Sequence, residues 1–81
     1  MKIYYDGKYI TLIDYAIDAM KLRPMTAKII LQKTKAMSLY RRAIACFLRK
    51  QGYNCGIIAK ELGYKRSTVQ DMTAPRNWII K

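Results

Sequence analysis

Residues 55–72 read CGIIAKELGYKRSTVQDM, and the spacing of residue types in this run is restrictive. Ala59 is small, at a point where a second helix can cross the first closely. Gly63, four positions on, tolerates the positive φ of a tight turn. Ile58 and Leu62 fall on one side of a first helix, and Val69 and Met72, three apart, on one side of a second. With those four apolar positions turned inward, Lys65, Arg66, Ser67 and Gln70 face outward. Their common chemistry is hydrogen bonding to an anionic or acceptor-rich surface. Arg66 offers a planar fork that fits a guanine edge, and Ser67 and Gln70 can meet bases or phosphates. Lys65 can do either, and Thr68 suits a backbone contact or a local cap. Asp71 can accept from a cytosine amine, pair with Arg66 or Lys65, or simply be solvated. The pattern is that of a helix-turn-helix, whose second helix presents its first residues to base edges and its amides to phosphate. A generic αα-hairpin explains Gly63 and the apolar positions, but not a second helix that begins Lys65-Arg66-Ser67.

Net charge supports the same partner. Sixteen Lys and Arg stand against five Asp and Glu, a formal net charge of +11 on 81 residues. Residues 1–20 carry two Lys and three Asp, whereas residues 21–81 carry fourteen basic and two acidic side chains. A field of this sign attracts polyanions and speeds their association. Lys33, Lys35, Arg42 and Arg49 are candidate clamps for the DNA backbone if the third helix and the loop before it flank the groove. Each could equally be an ordinary solvated cation.

These side chains need a scaffold, and the length allows one small domain over residues 1–81. Asp6-Gly7 between two β-rich runs marks either a short hairpin or an irregular N-terminal arm. Leu12, Ile13, Ala16, Ile17 and Met20 form an apolar helical stripe that ends near Leu22, before Pro24, with Asp14 and Asp18 on the outer face. Thr26 can cap a second helix over about 27–36, with Ala27, Ile30, Leu31 and Thr34 on one face. Ile29-Ile30-Leu31 alone would also suit a strand. Ser38 is the expected cap of a third helix, 39–51, with Tyr40, Ala43, Ile44, Phe47 and Leu48 buried. Arg42, Ala45 and Arg49 then lie opposite, and Gly52 suits the stop. Asn54 caps a fourth helix, 55–62, ended by Gly63. A fifth starts near Lys65–Ser67 and runs to about Thr73, before Pro75. The expected class is all-α: a small orthogonal domain of about five short helices containing a helix-turn-helix over 55–74.

Other functions find little footing. The chain has no His, and two cysteines, Cys46 and Cys55, cannot supply the roughly four ligands of a structural zinc site. Two reduced thiols are expected rather than a disulfide. No metal, cofactor or small-molecule substrate is implied. Asp14 and Asp18 share a helix face, as paired acid–base or metal-binding carboxylates can, but no third ligand is in view, so no enzyme is expected. No apolar run approaches the ~20 residues of a membrane span, and MKIYYDGKYI lacks a signal-type apolar stretch. A cytoplasmic protein is expected, nucleoid-associated if bacterial. Lying on a lipid surface is disfavoured, because the short helices need their apolar stripes for one core.

The segment IAKELGYKRSTV, residues 58–69, resembles the C-terminal DNA-binding domain of bacterial chromosomal replication initiators. That family carries Ile, a small residue, a Gly and then Ser/Thr-Thr-Val, here Ile58, Ala59, Gly63, Ser67, Thr68 and Val69. Upstream it has a basic loop and a helix with an Arg before an Ile-Ala-x-aromatic-Leu pattern. Here these are Lys33 and Lys35, then Arg42, Ile44, Ala45, Phe47 and Leu48. The likeness spans about residues 27–72. It implies a compact helical domain with its recognition helix in the major groove and its basic loop near phosphates or the adjacent minor groove. Two departures matter. Lys65 and Arg66 stand where the family usually has Asp-His, so its base preference does not carry over. The turn between the third and fourth helices also looks shorter. No GxxxxGK[S/T] phosphate loop is present, so the expectation is not a complete initiator but a free-standing small transcription or replication regulator, a fragment, or a phage or mobile-element protein that borrowed the domain.

The rival reading is an adaptor that binds an acidic protein through the same basic face. The tail Arg76-Asn77-Trp78-Ile79-Ile80-Lys81 either packs on the first helix or N-terminal arm, or forms a homodimer or partner contact. Dimerisation is a common route to two half-sites.

Overall fold

In a computed structural model describing residues 2–74, a β-hairpin is followed by five helices. The hairpin pairs β1 (Lys2–Tyr5) with β2 (Lys8–Thr11), antiparallel, with Ile3 opposite Ile10 and Tyr4 opposite Tyr9. Asp6 and Gly7 both take positive φ, 52° and 83°, the twist-matched two-residue turn that Asp-Gly favours. The fold is therefore mostly helical with a genuine N-terminal hairpin. Both readings of the tail concern residues outside those described.

The helices are α1 (Leu12–Ala19), α2 (Ala27–Ile30), α3 (Lys35–Lys50), α4 (Cys55–Leu62) and α5 (Arg66–Met72). Four begin under a side-chain cap. The oxygens of Thr11, Thr26, Thr34 and Asn54 each accept from the amide three residues on, a hydrogen bond that satisfies one of the helix's orphan donors. Three helices end alike. Lys21, Gly52 and Gly63 adopt positive φ, and the next amide, of Leu22, Tyr53 or Tyr64, reaches back to the carbonyl five residues earlier.

Several boundaries differ from expectation. The chain leaves α1 at Met20 because Lys21 turns left-handed, so the helix does not wait for Pro24. Helix α2 spans only Ala27–Ile30, because Thr34, expected on its face, is instead the cap of α3. Thr34 Oγ1 accepts from the Met37 amide at 3.2 Å, which starts α3 four residues before the expected Ser38 cap. Ser38 sits in the first turn and donates to the Lys35 carbonyl at 2.7 Å. Leu31 is exposed rather than facing inward with Ile30.

One core joins all five helices: Leu12, Ala16, Ile30, Ile44, Leu48, Ile58 and Val69 are sealed within it. The buried stripe of α3 is Arg41, Ile44, Ala45 and Leu48, spaced i, i+3, i+4, i+7. Tyr40 and Ala43, expected inside, are exposed, while Ala45, expected outside between Arg42 and Arg49, is fully buried. Reading the stripe by apolar type alone rotates it, since its first member is a cation. Phe47 is half-buried and tilts against Tyr15. Both cysteines are free. Among the described residues, no helix is long and apolar enough to cross a membrane.

Candidate nucleic-acid interface

Among the described residues, helices α4 and α5 make the most extensive helix–helix contact, across the turn Gly63-Tyr64-Lys65. Gly63 sits at φ 75° and ψ 28°, and the Gly63 and Tyr64 amides both converge on the Ala59 carbonyl. This closes α4 and redirects the chain. Ile58, Ala59 and Leu62 are buried on α4, Val69 is fully buried on α5, and Met72 is half-buried against the same core. The six expected packing positions thus come together. Lys65, Arg66, Ser67, Thr68, Gln70 and Asp71 are all exposed. Thr73, not singled out from sequence, is 1 % exposed and donates its hydroxyl to the Val69 carbonyl at 2.6 Å, which lets a polar side chain close the helix inside the core.

Lys65 occupies the cap position of α5 without making a side-chain cap hydrogen bond. A lysine has no acceptor, so it cannot. Alone among the five helices, α5 gives up a stabilising cap and places a cation there.

The phosphate-clamp candidates lie on α3 and on the loop before it. Lys33 and Lys35 are exposed around the start of α3, Lys33 in the loop and Lys35 as the first helical residue. Arg42 and Arg49 are exposed on α3, one turn before and after Cys46. The Cys46 thiol donates to the Met72 carbonyl at 3.5 Å, so this part of α3 abuts the last turn of α5. Burial pushes the Cys46 thiol up from its ordinary range, while the charges of Arg42 and Lys50 pull it down. Net, the thiol stays protonated and serves as a weak hydrogen-bond donor rather than a nucleophile.

Arg41 escaped the sequence reading, which assigned its neighbour Arg42. Only 6 % exposed, it donates Nε–H to the Tyr64 hydroxyl at 2.6 Å and Nη1–H to the Ile30 carbonyl at 2.9 Å and to the Gln32 carbonyl. Its guanidinium carbon lies 5.7 Å from the centroid of the Tyr64 ring. The available signal was its phase, three before Ile44 and seven before Leu48.

No protein family, curated protein or solved structure matches the chain in comparisons with known proteins.

Proposed function

We propose that this chain binds double-stranded DNA, with α4, its glycine turn and α5 acting as a helix-turn-helix and α5 as the recognition helix. The observation that carries the reading is the division of labour on α5. Val69 and Met72 hold the helix against the core, while Lys65, Arg66, Ser67 and Gln70 stand exposed on its first two turns. Arg66 is the base-reading side chain of choice, with a guanine edge as its natural partner. Lys33 and Lys35 on one flank and Arg42 and Arg49 on the other would neutralise phosphates. The likeness to the DNA-binding domain of replication initiators supports the same assignment. Ile58, Ala59, Gly63 and Val69 take packing and turn positions, while Ser67 and Thr68 are exposed. On this reading the protein is a small, non-enzymatic regulator of transcription or replication.

A second reading draws on Leu31, Leu39 and Tyr40, large apolar side chains exposed on the same stretch as Lys33 and Lys35, Leu39 by 70 %. Apolar groups ringed by cations suit an acidic protein, and a phosphate backbone has no use for Leu39. Fluorescence anisotropy with a random-sequence duplex, titrated with salt, separates the two. DNA binding predicts affinity in the micromolar range that falls steeply as salt rises. Absence of binding at ~100 mM salt, where non-specific affinity is ordinarily measurable, would favour the adaptor.

A further inference from the structure

The loop between α2 and α3 is four exposed residues, Leu31 to Thr34, with no core side chain of its own, and the exposed Lys35 and Ala36 open α3 directly after it. Its hydrogen bonds are local: Leu31 N–H to the Ala27 carbonyl, Gln32 N–H to the Ile29 carbonyl, Thr34 N–H to the Gln32 carbonyl, and Thr34 itself accepts from the Met37 and Ser38 amides of α3. These bonds tie the loop and its Lys33 to α2 and to the start of α3, where Lys35 lies, and none of them reaches α5. The Arg41 side chain spans the gap. One nitrogen of its guanidinium holds the Ile30 and Gln32 carbonyls, and another holds the Tyr64 hydroxyl. Lys33 follows Gln32 directly, and Lys65 follows Tyr64 directly.

We propose that Arg41 is the positioning residue of the DNA-binding face, fixing the Lys33–Lys35 segment relative to Lys65 and Arg66 so that both bind phosphates as one rigid surface. The inference rests on the duplex-binding reading. Three features support it. The acceptors in these bonds are two backbone carbonyls and a phenol, so among the described residues the guanidinium holds neutral groups here. The planar fork dictates where its acceptors lie, as a flexible ammonium would not. The side chain is too buried to touch DNA itself, so any effect it has on binding must act through the segments it joins. An apolar residue of the same volume could fill the space but would leave the loop without a tie to Tyr64.

The test is a double-mutant cycle in the full chain. Tyr64→Phe removes one acceptor while keeping the ring and its packing, and Arg41→Met removes the whole bridge; circular dichroism establishes that each variant folds. Kd for a random-sequence duplex and its salt slope are measured with and without the pair Lys33→Ala and Lys35→Ala. In the native background the lysine pair should weaken binding and lower the slope by about two phosphates. In the Tyr64→Phe background the same pair should cost about three- to ten-fold less, because the lysines are no longer held in place. A variant that merely loses stability but remains folded would leave the cycle additive. Additive effects in both folded backgrounds, with normal native binding, overturn the role of Arg41 and leave the duplex reading intact. If the native chain binds no duplex, the underlying function falls, and this proposal falls with it. Should Arg41→Met not fold, the Tyr64→Phe cycle alone decides.

Discussion

In the segment from Lys2 to Arg23, the acidic side chains of α1 are taken up by their neighbours. Asp14 accepts from the Thr11 hydroxyl at 2.9 Å, and Asp18 accepts from Tyr5 at 2.6 Å and pairs with Arg23 at 3.3 Å. In the segment from Gln32 to Met72 the balance is reversed. Lys33, Lys35, Arg42, Arg49, Lys65 and Arg66 are exposed, and one cation, Arg41, is drawn inside to bind backbone carbonyls and a phenol. The first region spends the carboxylates of α1 on its own fold. The second displays its charge and gives up a helix cap to place a lysine at the start of α5. Charge kept exposed at a local cost in stability is what a surface built for a polyanion requires.

Substitutions at the two kinds of charge should therefore behave differently. The largest effect is expected at the buried one. Arg41→Ala removes a buried donor from three acceptors, of which the Gln32 carbonyl keeps the Thr34 amide, and should destabilise the chain by roughly 3 kcal/mol, read from urea unfolding. A loss within ~0.5 kcal/mol, the range of an ordinary surface substitution, would show that the junction contributes nothing. Arg66→Ala should leave unfolding unchanged, yet cost ~1–3 kcal/mol on the preferred duplex and relax its specificity. Arg42→Ala, by contrast, should weaken all duplexes alike. If both spare DNA affinity, the assignment of faces is wrong.

Lys65→Asp sharpens the comparison, because it restores the missing cap. Thermal unfolding should reveal a gain of ~1 kcal/mol, with weaker duplex binding in the same protein. A gain in both would mean that the lysine is no functional concession. A smaller gain is expected from Lys21→Gly, which relieves a non-glycine residue at φ 58° in the acidic region: up to ~1 kcal/mol, with DNA affinity untouched.

The N-terminal contacts should also mark the pH profile. The Tyr5 hydrogen bond, reinforced by the Arg23 charge, holds the Asp18 carboxyl below its ordinary range despite some desolvation. Its contribution is present above the unfolded value near pH ~4 and is lost as pH falls through the lower folded value. Asp18→Asn should flatten that acid limb of the stability curve. The same bond raises the Tyr5 phenol. That contribution is present below about pH 10 and declines as pH rises toward the folded value, so Tyr5→Phe should flatten the alkaline limb.

What the sequence disclosed follows from how local the causes are. The Asp6-Gly7 turn, the Asn54 cap and the stop at Gly63 are set by one or two residues each, and they are readable in place. So are the inward and outward positions of α5, because a short helix pinned by Val69 has few ways to rotate. The start of α3 was misread because Thr34 and Ser38 are both competent caps four residues apart, and tertiary packing chooses between them. Arg41 was hidden for a deeper reason. A cation reads as surface until its acceptors are known, and here they come from a helix end eleven residues upstream and a tyrosine 23 residues downstream.

The central claim is that duplex DNA meets the displayed charge and not the consumed charge. Amide chemical-shift mapping during titration with a random-sequence duplex at ~100 mM salt tests it residue by residue. The account predicts shifts concentrated at residues 33–35 and 65–70, with Arg42 and Arg49 affected and the hairpin, residues 2–11, left unchanged. Shifts confined to the hairpin and α1, or none at all, would contradict it.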